Sequence, residues 1–431
     1  MLTTLPVEVL TKIVKKLDLR DVRNLMLCCK KIYELILNDN YLWKWFCRED
    51  LVVCNPKDNR KIINFSSYNK CRISQNWRKG IYRDKIVLQH RENYIPWLHY
   101  FNSEALVISV GTDLHCYSTD NKGIPSSRNF VWKLNVPKIQ RHDVRTNDIS
   151  RFVVKGNFIV CGNRDGSTSI YELCNIRQKP KLLYYIEDSV DNGLVEVSAV
   201  EFVNSKSNPC IVTTSCYSTN VVLWRSCTDT NEKYGTQNVA LQITIPDASG
   251  VKSIASNISE DKLAIGRNGN SMPIIIDILT GEITSSVNSI KNDKLAVRDI
   301  RWHNENTIIY VTHSGRLQLF DVRIGNVVYN AMDPFLSTLY CVKSDGERAV
   351  LVGSSEYSRC VLFDTRQSSA HVQMYFTQKK TSPIYSLDFD SMKLIAAADR
   401  SVATLNFNVN VNSAQVRDYS HAFEFVTESR P

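Results

Sequence analysis

From about residue 94 to 408 the chain repeats one pattern: a short alternating strand, a turn, an apolar strand, a tight polar loop, and another apolar strand ending on an aromatic or branched residue. One copy runs from Asn147-Asp148-Ile149 through Phe158-Ile159-Val160-Cys161-Gly162 and the turn Asp165-Gly166 to Ile170-Tyr171. Another runs from Val297-Arg298-Asp299-Ile300 through Ile308-Ile309-Tyr310-Val311 and Ser314-Gly315 to Phe320-Asp321. Seven copies align, closing at Tyr117, Tyr171, Trp224, Ile276, Phe320, Phe363 and Leu405, at intervals of 54, 53, 52, 44, 43 and 42 residues. Such a period constrains the fold more than any motif does, because one unit cannot bury its apolar face alone and must stack on its neighbours. The units are rich in Val, Ile, Thr and Tyr with period two, which excludes a helical solenoid and points to stacked sheets.

The intervals sit at or a little above the ~40–45 residues of WD-type blades. Phe320-Asp321 and Phe363-Asp364 resemble worn copies of the Trp-Asp pair of that repeat, Asp165-Gly166 resembles its turn, and no Gly-His pair is present. The resemblance implies an all-β, seven-bladed WD-type propeller over residues 85–408, followed by a tail over 409–431. A propeller must close on itself or leave open sheet edges. Lys85-Ile86-Val87-Leu88-Gln89-His90 reads as a strand able to supply the outer edge of the last blade.

The front of the chain differs in charge. Of the 53 Lys/Arg and 44 Asp/Glu, residues 1–90 hold 18 and 9, so the entire net charge of +9 lies there. These basic residues alternate with apolar helix positions rather than lining a groove with interleaved aromatics, so no nucleic-acid partner is expected. They read as solvated helix faces or as a surface for an acidic protein. No apolar run exceeds five residues, far below the roughly 20 that span a bilayer, and Glu8 without a long apolar stretch argues against a secretory leader. No membrane partner is expected. The 13 cysteines and 8 histidines form no metal-ligand spacing, which points to reduced thiols, a cytoplasmic or nuclear setting, and no metal. No P-loop or G-x-S-x-G is present either. The chain is read as a non-enzyme with no catalytic residue and no cofactor.

Residues 1–50 read as all-α. Pro6 suits a first helical position, and Leu10, Ile13, Val14 and Leu17 make one apolar stripe opposite Lys12, Lys15 and Lys16. Asp18 and Asp21 bracket a second start, where negative charge is favourable. Val22, Leu25, Met26 and Cys29 repeat the stripe, and Ile32, Leu35 and Ile36 carry it through a third helix that ends near Asn38-Asp39-Asn40. Three helices of this size bury little surface alone, so a partner is expected. Residues 51–84, with Leu51-Val52-Val53, Ile62-Ile63, Phe65 and Tyr68, read as a helical linker broken at Asn55-Pro56 that fixes the spacing of the two ends.

Leu5-Pro6, Glu8, Leu10, Ile13, Leu17, Asp21, Leu25, Cys29, Lys30-Lys31, Tyr33, Leu35 and Leu42-Trp43 together resemble the F-box, the motif of about fifty residues that docks on the Skp adaptor of cullin-based ubiquitin ligases. Cys28 departs from it, standing where a branched aliphatic residue is usual. Gln75-Asn76-Trp77-Arg78-Lys79-Gly80, Ile95-Pro96-Trp97-Leu98, Ser337-Thr338-Leu339-Tyr340-Cys341 and Ser382-Pro383-Ile384-Tyr385-Ser386-Leu387 extend the likeness to F-box and WD-repeat proteins across nearly the whole chain. The resemblance implies a substrate receptor of a Skp–cullin–F-box ubiquitin ligase, with Leu5, Pro6, Leu10, Ile13, Leu17, Leu25 and Trp43 at or beside the adaptor interface. A non-degradative propeller scaffold that binds the adaptor without the cullin is the alternative.

For the substrate, loops between second and third strands open on the same rim as the approaches to first strands. Arg164, Arg267 and Arg400 fall in three such loops, and His313, Arg316, Tyr357 and Arg359 in two others. Arg145, Lys252 and Arg298 precede or begin first strands. Converging guanidinium groups suit an acidic or phosphorylated protein, because their fork meets phosphate oxygens bidentately. Solvated loop charges, partly neutralised by Asp165, Asp299, Glu356 and Asp399, are the competing reading.

Overall fold

The structure, a computed structural model, describes residues 4–48, 51–54, 66–89, 95–101, 104–121, 123–205, 208–226, 237–285, 295–376 and 381–410. Four helices come first: α1 (Val7–Val14), α2 (Leu19–Cys28), α3 (Lys30–Asn38) and α4 (Asn40–Cys47). Pro6 caps α1 from outside with extended backbone rather than opening its first turn. Asp18 caps α2, its carboxylate accepting from the Asp21 amide at 2.7 Å. Asp39 ends α3 and caps α4, accepting from the Leu42 amide at 2.9 Å. That reuse explains why a fourth helix starts at Asn40, where the sequence read only an ending. Leu10, Val14, Val22, Met26, Ile32, Ile36, Leu42 and Trp43 form the core of this bundle.

Helix α5 (Ser67–Lys79) joins bundle to propeller. It starts on the Ser66 hydroxyl and stops at Gly80, whose φ of 61° is left-handed backbone that favours glycine. Tyr68 and Cys71 pack into the helical core, while Ile73 and Trp77 enter the core between the last two blades together with Leu51 and Val53. One helix thus belongs to two cores. The break expected at Asn55-Pro56 lies outside the described residues.

Seven four-stranded antiparallel sheets follow. Blades 1 to 6 span residues 98–135, 149–186, 199–244, 250–285, 297–332 and 339–375, and blade 7 takes its first three strands from 384–406. Every closing position read from the sequence falls in the third strand of its blade. Arg83–Gln89 completes blade 7, Arg83 pairing with Asn406 and Gln89 with Ser401. The ring-closing strand is therefore the one expected, begun two residues earlier; His90 lies outside the described residues. An apolar cluster sits between each pair of neighbouring blades, including blades 7 and 1. Second strands such as Ala349–Ser354 are buried throughout because both of their faces meet a neighbouring sheet.

The linker meets the ring at the connections between first and second strands and, through Tyr82, along the outer strand of blade 6, where the Tyr82 hydroxyl accepts from the Tyr375 amide at 2.9 Å. The Trp77 indole donates to the Ser391 carbonyl at 2.8 Å, and the Cys54 amide to the Asp345 carboxylate at 3.2 Å. Both acceptors lie in connections between first and second strands. Connections between second and third strands lie at the opposite ends of those strands, so the other mouth of the ring faces away from the helices.

Candidate functional site: the far mouth of the propeller

The first strands are innermost, each touching the first strand of a neighbouring blade. Their carboxylates bolt the ring together. Asp299 of blade 5 accepts from the Val342 amide of blade 6 at 3.0 Å, and Asp388 of blade 7 from the Tyr100 amide of blade 1 at 3.0 Å. Asp299 also pairs with Arg151, which reaches it from blade 2. Burial alone would raise the Asp299 pKa, but Arg151 and Arg301 outweigh it and hold the carboxyl below its ordinary range. These contacts tie the innermost strands of blades 2, 5 and 6 and of blades 7 and 1 to one another across the channel wall.

At the far mouth five first strands carry the same irregularity. The pairing register skips one residue at Ser150, Lys252, Arg298, Tyr340 and Tyr385. A skipped residue leaves the ladder and its side chain is re-aimed. In blades 5 to 7 these residues meet one another: the Arg298 guanidinium lies 5.5 Å from the Tyr340 ring centre, and Tyr340 and Tyr385 pack edge to face at 5.4 Å. Trp97, at the entrance to blade 1, has the Arg151 guanidinium over its ring at 4.2 Å. Arg298 also bonds the His313 Nδ1 at 2.9 Å. Burial and the Arg298 charge both lower the His313 pKa, so the neutral ring accepts at Nδ1. The Arg298 Nε–H is buried and has no hydrogen-bond partner among the described residues. Burial raises the Tyr385 pKa, and its bond to Asp399 raises it further. The result is a half-buried patch of one cation, aromatic faces and an unused donor.

The arginines read from the sequence divide into two groups. Arg316 and Arg400 are exposed, and Arg164 and Arg298 half-buried. Arg267 and Arg359 are not rim groups. Arg267 is 2 % exposed and donates to the Met272 and Pro246 carbonyls. Arg359 is 0 % exposed and both oxygens of Asp333 hold its Nη2 at 2.7 Å. It opens a strand rather than sitting in a loop, so its side chain turns into the sheet stack. Arg145 is spent on Asp143 and the Gly193 carbonyl. Of the suggested neutralising neighbours, Asp165 serves the Ser167 and Ile139 amides and Glu356 accepts from the Ser337 hydroxyl. Tyr340, Tyr385 and Trp97 were not singled out as site residues. Their recurrence as second residue of a first strand, or just before one, is the signal that finds them.

At the helical end, Pro6 and Ile13 are exposed and Leu5, Leu17 and Leu25 half-buried, with Val9 exposed beside Ile13. Leu10 and Trp43 point inward, 3 % and 2 % exposed, and the Trp43 indole donates to the Ile36 carbonyl at 2.8 Å. These two hold the bundle together from inside. Among the described residues no group of three or more His, Cys, Asp or Glu is placed to hold a metal ion, and no helix is long and apolar enough to cross a membrane.

A small helical module carried on a closed seven-bladed propeller is the architecture that the F-box and WD-repeat resemblance implies. A family model described as F-box-like matches residues 2–49. F-box/WD repeat-containing protein 4 (dactylin) of Mus musculus is 24 % identical over 410 residues, covering 94 % of this chain and 92 % of its own. The Homo sapiens protein of the same name is similar to the same extent. The N-terminal domain, the propeller and these relatives together support the F-box/WD family.

Proposed function

We propose that this chain is the substrate-recognition subunit of a Skp–cullin–F-box ubiquitin ligase, working in the cytoplasm or nucleus. The exposed apolar strip of α1, with Pro6, Val9 and Ile13, and the half-buried Leu5, Leu17 and Leu25 dock the Skp adaptor, which brings the cullin. The far mouth of the propeller takes the protein substrate, an acidic or phosphorylated segment being the complement of the half-buried Arg164 and Arg298 and the exposed Arg316 and Arg400. The chain itself does no chemistry in this scheme; ubiquitin transfer belongs to other subunits.

The observation that carries this reading is α5. Because its residues belong to both cores, the adaptor end and the substrate end keep one spacing, with the substrate mouth turned away from the helices. That is what a subunit needs if it is to hold a target at a set distance from a transfer site. Affinity purification of the full chain tests it. Recovery of the Skp adaptor with a cullin is expected; the adaptor without a cullin would favour the scaffold alternative, and recovery of neither would sink both. Replacing Arg164, Arg298 and Arg400 by alanine should cut substrate capture and leave the adaptor bound.

A further inference from the structure

A cavity of about 280 Å³ opens between α2 and α5, where bundle and linker meet. Arg20 and Arg23 of α2 line it on one side, Arg72 and Lys79 of α5 on the other, and no Asp or Glu is among its lining residues. Arg20, Arg23 and Lys79 are exposed and form no ion pair among the described residues. Arg72 is fixed: it donates to the Val409 carbonyl at 2.6 Å and to Asn69. Burial lowers the Arg72 pKa; Tyr68 opposes this, and the charge of Arg23 adds a smaller lowering. Four cations around one small space repel one another unless something anionic lies between them.

The second observation is Asn76, which also lines the cavity and is 1 % exposed. Its Nδ2 is used on the Phe407 and Val409 carbonyls at 2.7 and 2.9 Å, while its Oδ1 is buried with no donor among the described residues. A buried acceptor left unmade costs stability, so it calls for an explanation. An occupant therefore has to bring negative charge for the four cations and one hydrogen for Asn76. Sulfate and a carboxylate bring only the charge; a monoprotonated phosphate brings both. The volume lies just below the ~300–1,000 Å³ of sites for drug-sized ligands, which limits the occupant to a small group.

We propose that the α2–α5 cavity binds a phosphate group, held by Arg20, Arg23, Arg72 and Lys79 and donating its remaining proton to Asn76. Bound there, it ties the bundle to the linker through charge-assisted bonds and stiffens the joint. The group can come from a free phosphate or from a phosphorylated side chain of this protein, and one experiment separates them.

Inorganic phosphate is titrated calorimetrically into the purified full chain, before and after phosphatase treatment. Binding before treatment identifies a free phosphate as ligand; binding only after treatment, with a matching loss of intact mass, identifies a phosphorylated side chain. No binding in either arm overturns the proposal. The double variant Arg23→Gln/Lys79→Gln, whose side chains are exposed and make no ion pair among the described residues, should fold normally in phosphate-free buffer and bind phosphate at least about tenfold more weakly. Unchanged affinity in that variant, or sulfate binding as tightly as phosphate, would equally overturn it.

Discussion

Trp77 lies flat on Phe407, the two rings 3.5 Å apart and 13° from parallel. One ring belongs to the helix that leaves the F-box-like bundle, the other to the stretch just after the last strand of the propeller. The indole N–H is bonded as well, to the Ser391 carbonyl, so a single side chain supplies stacking, burial and a hydrogen bond to one joint.

Trp77→Ala should therefore cost about 3–5 kcal/mol, as truncating a buried aromatic does. Urea unfolding of the purified chain measures it. Limited proteolysis should also find a new cleavage region near α5. A loss below about 1 kcal/mol would mean that the joint is looser than the stacking implies.

The buried pair Arg359–Asp333 separates folding from recognition. Asp333→Asn leaves the fully buried guanidinium without its counter-charge, at a cost of about 3–5 kcal/mol. Adding Arg359→Met to Asp333→Asn should recover much of it, because the amide oxygen at position 333 can still accept from the Phe335 and Ser337 amides. Arg359 variants are expected to lose substrate capture only in proportion to the folded protein lost, which circular dichroism and a capture assay on the same samples distinguish.

Two leucine-like positions of α1 should respond in opposite ways. Ile13→Asp changes an exposed side chain, so it should leave the helical signal intact while weakening adaptor binding at least about tenfold, or 1.4 kcal/mol. Leu10→Asp places a charge in the bundle core and should unfold it. If Ile13→Asp binds the adaptor as well as the native chain, the interface lies elsewhere.

Acidification should destabilise the protein from just below neutral. Burial lowers the pKa of His303 despite the opposing charge of Asp345, and burial also lowers His115 and His313, all from an ordinary value of 6.5. The unfolded chain therefore takes up protons first. The stabilising contribution is complete above 6.5 and is lost as the pH falls from there towards the folded-state values. Denaturant midpoints measured across that window should decline with pH, and less steeply in His303→Gln. A midpoint that stays level from pH 6.5 downward would refute the assignment.

The parts of this fold visible in the sequence were those whose environment is uniform. A strand buried on both faces, like Ala349–Ser354, reads as an unbroken apolar run, and the recurrence of one such strand between an alternating strand and a third strand ending on an aromatic or branched residue carries the period. The fourth strands are harder to read because Asn326–Met332 and Gln367–Tyr375 turn one face to water, where polar and apolar residues are both tolerated: Asn326, Val328, Asn330 and Met332 are all exposed. The site was less visible, for a different reason. Loop position suggested which arginines could reach the rim, but whether a guanidinium points out or in depends on a partner such as Asp333, in another connection of the fold. The aromatic cluster was hidden in the opposite way, since Tyr340 and Tyr385 sit inside strands and only a skipped register brings them to the mouth.

The clasp formed by Arg83–Gln89 carries a consequence for synthesis. Its partner, Ser401–Asn406, is the last of the ring's strands in chain order, so the blades must wait with an unsealed seam until all seven have been made. Such distant pairing is slow to form and leaves a sheet edge open to strangers meanwhile. Chaperone demand should thus concentrate on the stage just before the seventh blade is made, when helices at the front have long been available to a partner but the ring behind them is still a horseshoe.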